Sequence, residues 1–460
     1  MRFVLGGILI ALMIPAGAFS QGLFESAGSD VQESALPIQL NGYARGVLYL
    51  GEYAAPPASE IKSGYADAAL KLSALSGSRA RFYSELRFRN GYEYNEWINE
   101  FTLREAYADL YLGPLELRAG QSIISWGRAD AFNPTNNLTP QDYFVRSPEP
   151  DDMRLGNFLL RGRYNMTQKL RLEAVWIPKY KYSVYRFDLF EMPDYVRFSE
   201  SPLPEALLKN GSIAVKLDFL FDDFDGSLSW FNGYDPMPGI QSGEIPQSPA
   251  EDFVIDMYAM AFRQQTLGLD FSFGLGSFGV RGEAALRDPA ANYRDKIFAP
   301  NRDLRYVLEA DRSFGDFSLM LMYMGQYVFN FIDAPVPGGI PDIDPLQLQD
   351  PAVFAMMGPM MEQQVAAFNR IIFDQTKKIA HTLALRPALS MFHGVSELEV
   401  FGLYNFSTEE WNLIPKLSWD ATDNLKLSVG GQYFEGPKNT RYELVAPVFN
   451  GGFFELRYSF

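Results

Sequence analysis

Apolar and polar residues alternate with period two along most of the chain, from about residue 37 to its last residue. In residues 169–176, for example, the charged side chains of Arg171 and Glu173 stand between apolar neighbours, and residues 80–89 and 425–433 repeat the pattern. Such alternation predicts strands with one apolar and one polar face. By itself it fits a soluble antiparallel sheet packed on a second sheet as well as a barrel whose apolar face meets lipid.

The spacing of the alternating segments separates these two interpretations. We expect 18 strands, with 16 as the alternative count, and the connections between them alternate between short turns and long loops. Long extracellular loops alternating with short periplasmic turns are typical of bacterial outer-membrane barrels. The sequence therefore predicts an all-β fold, a closed antiparallel transmembrane β-barrel. Its long loops are expected at 52–63, 91–99, 127–156, 179–209, 234–263, 288–302, 331–375 and 435–451.

The first residues predict an export signal. Arg2 is followed by an apolar stretch to Ile14 and by small residues near Ser20, which is the pattern of a cleaved signal peptide. An uncleaved anchor is the alternative, but the apolar stretch is shorter than the roughly 20 residues that a membrane helix needs. We therefore expect a signal peptide at 1–20, a periplasmic leader at 21–36 and the barrel at 37–460.

The last strand carries a second localisation signal. Phe454, Leu456, Tyr458 and Phe460 alternate with polar residues, and the chain ends on an aromatic side chain. This pattern resembles the terminal strand signal that the barrel-assembly machinery of the outer membrane reads, so Phe460 is expected to contact that machinery. The location predicted for the protein is the bacterial outer membrane, with lipid and lipopolysaccharide as its surroundings.

Composition narrows the functional classes. Aromatic residues make up 15% of the chain, which fits girdles at the two membrane interfaces. The net charge of −16 argues against nucleic acid as a partner. With no Cys and only two His, the chain lacks thiolate chemistry and most metal-site and triad chemistry. We therefore expect no catalytic residues, no bound metal and no cofactor, and predict that the protein is not an enzyme.

Strand parity assigns a mixed set of charges to the barrel interior. Two interpretations stay open for them: opposed rows of charge that orient polar solutes, or cross-strand pairs that stabilise the wall. The candidates in the strands are Glu85, Arg87, Arg118, Arg161, Arg163, Arg171 and Glu173.

The most distinctive stretch is the third long loop together with the predicted strand that leads into it. It contains R-x-G-Q from Arg118, W-G-R-x-D from Trp126 and N-P-T from Asn133. These motifs resemble porin-type barrels, especially poorly characterised families found beside RND-type exporters, and are less similar to alginate-export barrels. The resemblance implies that residues 127–155 fold inward as a constriction, while a purely structural latch is the alternative. The candidate solute contacts in this stretch are Arg128, Asp130, Asp142, Arg146 and Arg154.

Methionines form a second unusual feature. Residues 351–370 predict a short amphipathic helix in the longest outside loop, and alternate methionines of the strand before it fall on the interior parity. They could together form a soft apolar patch for hydrophobic cargo, or the helix could simply pack on the barrel rim. The candidate residues are Met320, Met322, Met324, Met356 and Met360.

The sequence thus predicts a porin-like channel for small polar or charged solutes, narrowed by its third extracellular loop. One alternative is transport of hydrophobic or lipidic compounds, with an RND-type inner-membrane exporter as a partner. The other alternative is a structural or adhesive barrel, which would use the exposed acidic loops.

Overall fold

The structure, a computed structural model, describes residues 38–53, 58–184, 186, 189–190, 193, 195–244, 254–332 and 350–460. The expected signal peptide at 1–20 and the leader at 21–36 lie outside the described residues. Within the described ranges, no helix has the length and apolar character needed to cross a membrane.

The described residues contain twenty-one strands and two α-helices. The strands of the barrel are β1 Ile38–Tyr53, β2 Ala58–Ser76, β3 Ala80–Glu93, β4 Glu96–Leu112, β5 Leu115–Ser122, β6 Asn157–Asn165, β7 Leu170–Ile177, β9 Ser212–Leu220, β10 Phe224–Tyr234, β13 Arg263–Leu275, β14 Phe278–Pro289, β15 Asp303–Phe314, β16 Phe317–Val328, β17 Ile379–Met391, β18 Ser396–Asn405, β19 Glu410–Asp420, β20 Leu425–Glu435 and β21 Gly451–Ser459. The remaining elements are β8 Val196–Phe198, β11 Gly239–Ser242, β12 Ile255–Met260, α1 Pro351–Ile372 and α2 Arg441–Phe449.

Eighteen strands form one closed antiparallel sheet. Each strand pairs with the next barrel strand along the chain, and β21 closes the ring on β1 through pairs such as Arg45 with Arg457. The closure leaves no unpaired edge, which is the condition for a sheet to sit in lipid. Each of the 18 strands expected from the alternation is present, so the predicted fold class is confirmed.

Two of the predicted long loops are wrong. The segments 52–63 and 91–99 consist mostly of strand, because β1 and β2 extend toward each other and β3 and β4 meet at a tight turn. Tyr94 and Asn95 form that turn with φ values of 51° and 65°. A two-residue turn with positive φ matches the twist of the hairpin.

The remaining long connections lie at one rim of the barrel, called here the long-loop rim. The opposite rim carries the short turns and is called here the short-turn rim.

The two faces of the barrel differ as the alternation requires. Outward side chains such as Leu70, Phe88 and Phe101 are exposed, whereas inward charged side chains such as Arg45 and Asp67 are buried. A membrane barrel, unlike a soluble sandwich, has apolar residues that face outward and charged residues that face inward.

The long loops build a small cap of their own. Strands β8, β11 and β12 form a three-stranded sheet, in which β11 and β12 pair antiparallel and β12 pairs with β8 in parallel. Helix α1 begins after Asp350, whose side chain accepts a hydrogen bond from the Ala352 backbone nitrogen, the usual role of an N-cap. Its buried Met357 and Met361 pack against Ile240 and other residues of this cap. The predicted helix at 351–370 is confirmed, whereas α2 and the small sheet were not predicted.

Candidate functional site

Residues 123–156, called here the lumen segment, connect β5 to β6 and cross the interior of the barrel. One part of the segment contacts β1 and β3, and another part contacts β13, β14 and β15. In the ring of 18 strands, β1 lies opposite β13, and β3 lies opposite β15. The segment is therefore held at two opposite sides of the bore.

A single buried carboxylate holds the first part of the segment. Glu283 of β14 accepts hydrogen bonds from the backbone nitrogens of Arg128 and Ala129, at 2.5 and 2.8 Å. It also accepts from Asn133 Nδ2 at 2.9 Å and from Thr135 Oγ1 at 2.8 Å. These backbone and side-chain groups all donate to one carboxylate. Without it they would lose this acceptor inside the barrel, so the turn at 127–135 depends on Glu283.

Gly127 allows this close approach. Its φ is +111°, and a Cβ atom at this position would lie 2.5 Å from Glu283 Oε1. Only glycine adopts this backbone conformation readily without steric conflict. The close approach to Glu283 therefore explains the glycine of the W-G-R motif.

Two predicted contact residues, Arg128 and Asp130, point to different walls. Arg128 Nε lies 2.6 Å from Asp270 Oδ1 of β13. The Asp130 carboxylate lies 2.9 Å from Arg386 of β17, and this pair is about one-third exposed, with side-chain exposures of 38% and 35%. Asp130 and Arg386 thus form an ion pair that remains open to water inside the barrel.

The second part of the segment is held by buried charges. Asp152 lies 2.6 Å from Arg45 of β1 and 2.6 Å from Arg87 of β3. Arg87 also pairs with Glu85 at 2.7 Å, and Glu85 accepts a hydrogen bond from Arg104 at 3.2 Å. Although burial alone would raise it, the two guanidinium groups hold the pKa of the Asp152 carboxyl well below its ordinary value.

Arg146 lies deep in the contact between the segment and the wall. The side chain is buried, donates to Ser63 Oγ at 3.3 Å and to the Val448 carbonyl oxygen, and lies 4.5 Å above the Tyr94 ring. The Tyr65 hydroxyl donates to its carbonyl oxygen at 2.5 Å. These contacts make Arg146 a structural tie between the segment, β2 and α2.

The other two predicted contacts within the segment have local partners. The Asp142 carboxylate accepts from the backbone nitrogens of Phe144 and Val145 at 2.9 and 3.1 Å, which forms a turn. Burial raises the pKa of Asp142 above its ordinary value, and these backbone hydrogen bonds oppose the shift. Arg154 pairs with Asp151 at 3.1 Å, three residues earlier.

The predicted wall charges lie on the inner face, and most form cross-strand pairs. Arg118 lies 2.7 Å from Asp109, and Arg161 lies 2.6 Å from Glu116. Arg163 lies 2.9 Å from Glu173, and the latter also accepts from Trp126 Nε1 at 2.8 Å. Arg171 differs, because its Nε donates to Asn165 Oδ1 at 3.0 Å and no carboxylate of the described residues lies within ion-pair distance.

The structure does not bring the predicted methionines together. Met320 and Met322 are buried against Ala129, and Met324 packs beside them with Phe132 of the lumen segment. In α1, Met357 and Met361 are the buried methionines, whereas Met356 is 60% exposed and Met360 is half-buried. The strand group therefore supports the lumen segment, and the helix group belongs to the cap.

Two cavities flank the lumen segment. One, of about 190 Å³, is lined by Phe132, Met324 and Leu403 together with polar side chains that include Arg305 and Arg441. The other, of about 170 Å³, is lined by Gly127, Arg128, Arg163, Arg171, Lys216, Asp218, Leu220 and Asp270. In the part of the chain that the structure describes, no group of three or more His, Asp or Glu side chains could hold a metal ion.

Three residues that organise the site are not among the candidates named from the sequence. Asp152 has no neighbouring pattern that marks which side chains fold back onto the wall. Arg104 points inward because the β3–β4 register shifts between Glu85 and Leu86, a bulge that breaks parity. Parity puts Glu283 on the inner face, but its four donors lie about 150 residues away in sequence.

The closed ring of 18 antiparallel strands, apolar outside and charged inside, defines a porin-type outer-membrane β-barrel as the class of fold. The chain belongs to the family described as "Protein of unknown function (DUF1302)", whose pattern matches residues 62–458. No curated protein matches the chain.

Solved structures of Pseudomonas aeruginosa share this fold. The chain is similar to OccK5 (OpdH) with a TM-score of 0.52 and 11% identity, over 92% of this chain and 97% of that one. It is similar to the outer membrane protein opdK with a TM-score of 0.51 and 9% identity, over 92% and 98%. It is also similar to OccK2 (OpdF) in complex with glucuronate, with a TM-score of 0.50 and 12% identity, over 92% and 98%.

Proposed function

We propose that this protein is an outer-membrane channel through which small polar or charged solutes diffuse, and that the lumen segment narrows the channel. The observation that carries the proposal is the attachment of this segment at two opposite sides of the bore, through Glu283 on one side and Asp152 on the other. An 18-stranded barrel is wide enough for water, so a segment across it sets the narrowest point. In this proposal the long-loop rim is extracellular and the short-turn rim is periplasmic.

The exposure of the inner charges supports one side of the bore as the solute route. On the β1–β3 side, Arg45 and Asp67 are covered almost completely by the segment. On the β14–β18 side, Arg281, Arg386 and Glu399 keep 29 to 39% of their side-chain surface. Water-accessible charges of both signs along this wall suit polar and charged solutes rather than hydrocarbon.

The shared fold offers further support. OccK2 was solved in complex with glucuronate, a small charged solute. The signal peptide expected at 1–20 and the alternating apolar residues of β21 support an outer-membrane location in a Gram-negative bacterium. In this location, lipid, lipopolysaccharide and the barrel-assembly machinery are the expected partners.

Planar-bilayer conductance tests the proposal. The wild-type protein should give stable currents that scale with salt, and Arg386→Glu should shift the reversal potential toward cation preference. Arg197→Glu is the matched control, because Arg197 pairs with Asp256 in the cap and is 64% exposed there. Absence of current, or an equal shift in both variants, would contradict the channel or its route.

A second candidate function rests on the cavity beside Phe132, Met324 and Leu403. This apolar surface inside a charged barrel favours an amphipathic or lipidic compound, whose export could involve an inner-membrane RND-type exporter. A barrel without conductance that retains a bound apolar compound would favour this function. A barrel without either property would favour a structural or adhesive role.

A further inference from the structure

We propose that the cavity lined by Arg128, Arg163, Arg171 and Lys216 binds a small oxyanion, a carboxylate or phosphate, on its way through the channel. The inference rests on the proposed channel function and names a solute class and a site for it. We call this cavity the basic cavity; nothing in the family description assigns a ligand to it.

The basic cavity lies between the lumen segment and the short-turn rim. Arg171 is the second residue of β7, and Leu220 is the last residue of β9, so both lie beside the short turns at this rim. Gly127 and Arg128 contribute the lumen segment to the lining. The wall of the cavity runs from β6 to β13, which is the neighbour of β14, so a solute that has passed the segment on the β14–β18 side reaches the cavity on the periplasmic side.

Cations outnumber carboxylates in the lining. Four cationic side chains line the cavity against two carboxylates, Asp218 and Asp270. Arg128 contacts both of these acids, at 3.8 and 2.6 Å, and also Asp225 outside the lining, at 3.8 Å, and Lys216 lies 3.2 Å from Asp218. Carboxylates therefore compensate Arg128 and Lys216, and the positive charge available to an anion lies mainly on the other two cations of the lining, Arg163 and Arg171.

The two arginines on the wall present their charge differently. Arg163 pairs with the buried Glu173 at 2.9 Å and with Glu116 at 3.6 Å, and it keeps 27% of its own side-chain surface. Arg171 is oriented through its Nε by Asn165 at 3.0 Å, without a carboxylate partner in the described part of the chain. A guanidinium group fixed at Nε still offers its terminal donors, which suit the geometry of a carboxylate or phosphate.

The size of the cavity limits the solute. Its volume of about 170 Å³ accommodates a phosphate group or one sugar-sized acid but not a long chain. The cavity beside Phe132 differs, because its lining mixes apolar side chains such as Met324 and Leu403 with charges of both signs. The preferred solute is therefore compact and carries an accessible negative charge.

The test compares glucuronate with glucose, its neutral counterpart, added separately to each side of a bilayer containing the full-length barrel. Glucuronate from the periplasmic side should reduce the current saturably, and glucose should not. Arg171→Gln should weaken this block about tenfold, the effect of losing one charge-assisted hydrogen bond. Arg81→Gln is the matched control: Arg81 also lies near the short-turn rim, on β3, and its Nε contacts Ser73 Oγ at 3.4 Å outside the basic cavity.

The outcomes separate the site from the channel. Equal effects of the two substitutions, or equal block by glucose and glucuronate, would overturn the oxyanion site while leaving the channel intact. A barrel that conducts no ions would overturn the proposed function. In this event, calorimetric binding of glucuronate and of inorganic phosphate to the detergent-solubilised wild type and to Arg171→Gln still decides the site: loss of binding in the variant supports it, and no difference overturns it.

Discussion

The carboxylate of Asp152 lies 2.6 Å from the guanidinium group of Arg45, and both side chains are almost completely buried. The two residues are 107 positions apart, so this contact ties the lumen segment to the first strand of the barrel. Arg45 also contacts Asp67 at 2.9 Å, which joins β1 to β2 beneath the segment. Closure of the barrel and placement of the segment are therefore linked through one arginine.

Replacement of Asp152 by Asn should release this part of the segment. The substitution removes one charged partner from each of the buried Arg45 and Arg87, which keep Asp67 and Glu85, and losing a hydrogen bond to a charged group costs about 1.5–3 kcal/mol. We expect faster hydrogen exchange in peptides covering 140–155 and a larger single-channel conductance. Mass spectrometry and bilayer recordings measure the two effects on the same preparation.

Asp151→Asn provides the control for this prediction. Asp151 is adjacent in sequence, but its side chain is 75% exposed and forms an exposed pair with Arg154. Exposed pairs contribute about 0–1 kcal/mol, so exchange and conductance should remain close to wild type. Similar behaviour of the two variants would show that the buried ion pair does not hold the segment.

Acid should loosen the segment through the same residue. Arg45 and Arg87 hold the pKa of Asp152 below its ordinary value despite its burial. A depressed pKa means that the stabilisation is present above the unfolded value of about 3.9 and is lost as the pH falls through the lower folded value. The contribution of Asp152 to the wild-type conductance should therefore stay constant from pH 7 to about 4, and the conductance should rise below this pH as Asp152 is protonated.

Asp152→Asn tests the assignment of this acid transition. The variant cannot lose the charge, so its conductance should already be raised at pH 7 and should lack the part of the acid response that Asp152 causes. Parallel pH profiles for the wild type and the variant would assign the transition to another group.

The sequence predicted the strands of the barrel wall better than the position of the segment inside the barrel, for a physical reason. Each strand alternates between lipid and interior, so hydropathy alone identifies the strands and the inner face of residues such as Arg163 and Glu173. Parity failed at Arg104, because a bulge adds one residue to β4 and reverses the expected face. Parity also did not predict that β3 and β4 continue to the turn at Tyr94, because polar residues on both faces obscure the alternation there.

The contents of the bore depend on contacts between distant residues. Arg128 and Asp130 were expected inside the barrel from a resemblance, and the structure shows their partners, Asp270 and Arg386. Asp152 could not be named as a site residue from the sequence, since no local pattern encodes a partner 107 residues earlier. Whether Arg128 or Asp130 contacts a solute stays a prediction.

Substitution of Glu283 by Gln should free the first part of the segment. A glutamine amide presents hydrogens to donors that need an acceptor, which leaves buried donors among Ala129, Asn133 and Thr135 unsatisfied at about 1–3 kcal/mol each. We expect faster hydrogen exchange at 127–135 and unchanged exchange at 146–154. Asp311→Asn on the adjacent strand β15 is the control, because its side chain is 38% exposed and contacts Arg281 rather than the segment. Equal exchange in the two variants would contradict the anchoring role of Glu283.

A disulfide between the segment and the wall should leave conduction intact. A Cβ atom at Gly268 of β13 would lie 3.4 Å from the Cβ of Thr135, close to the 3.5–4.5 Å found in disulfides. The chain contains no Cys, so Thr135→Cys with Gly268→Cys introduces the only pair of thiols. If the segment is a fixed constriction, the oxidised and reduced forms should give the same single-channel conductance. Loss of current on oxidation and its recovery on reduction would instead show that the segment must move for solutes to pass.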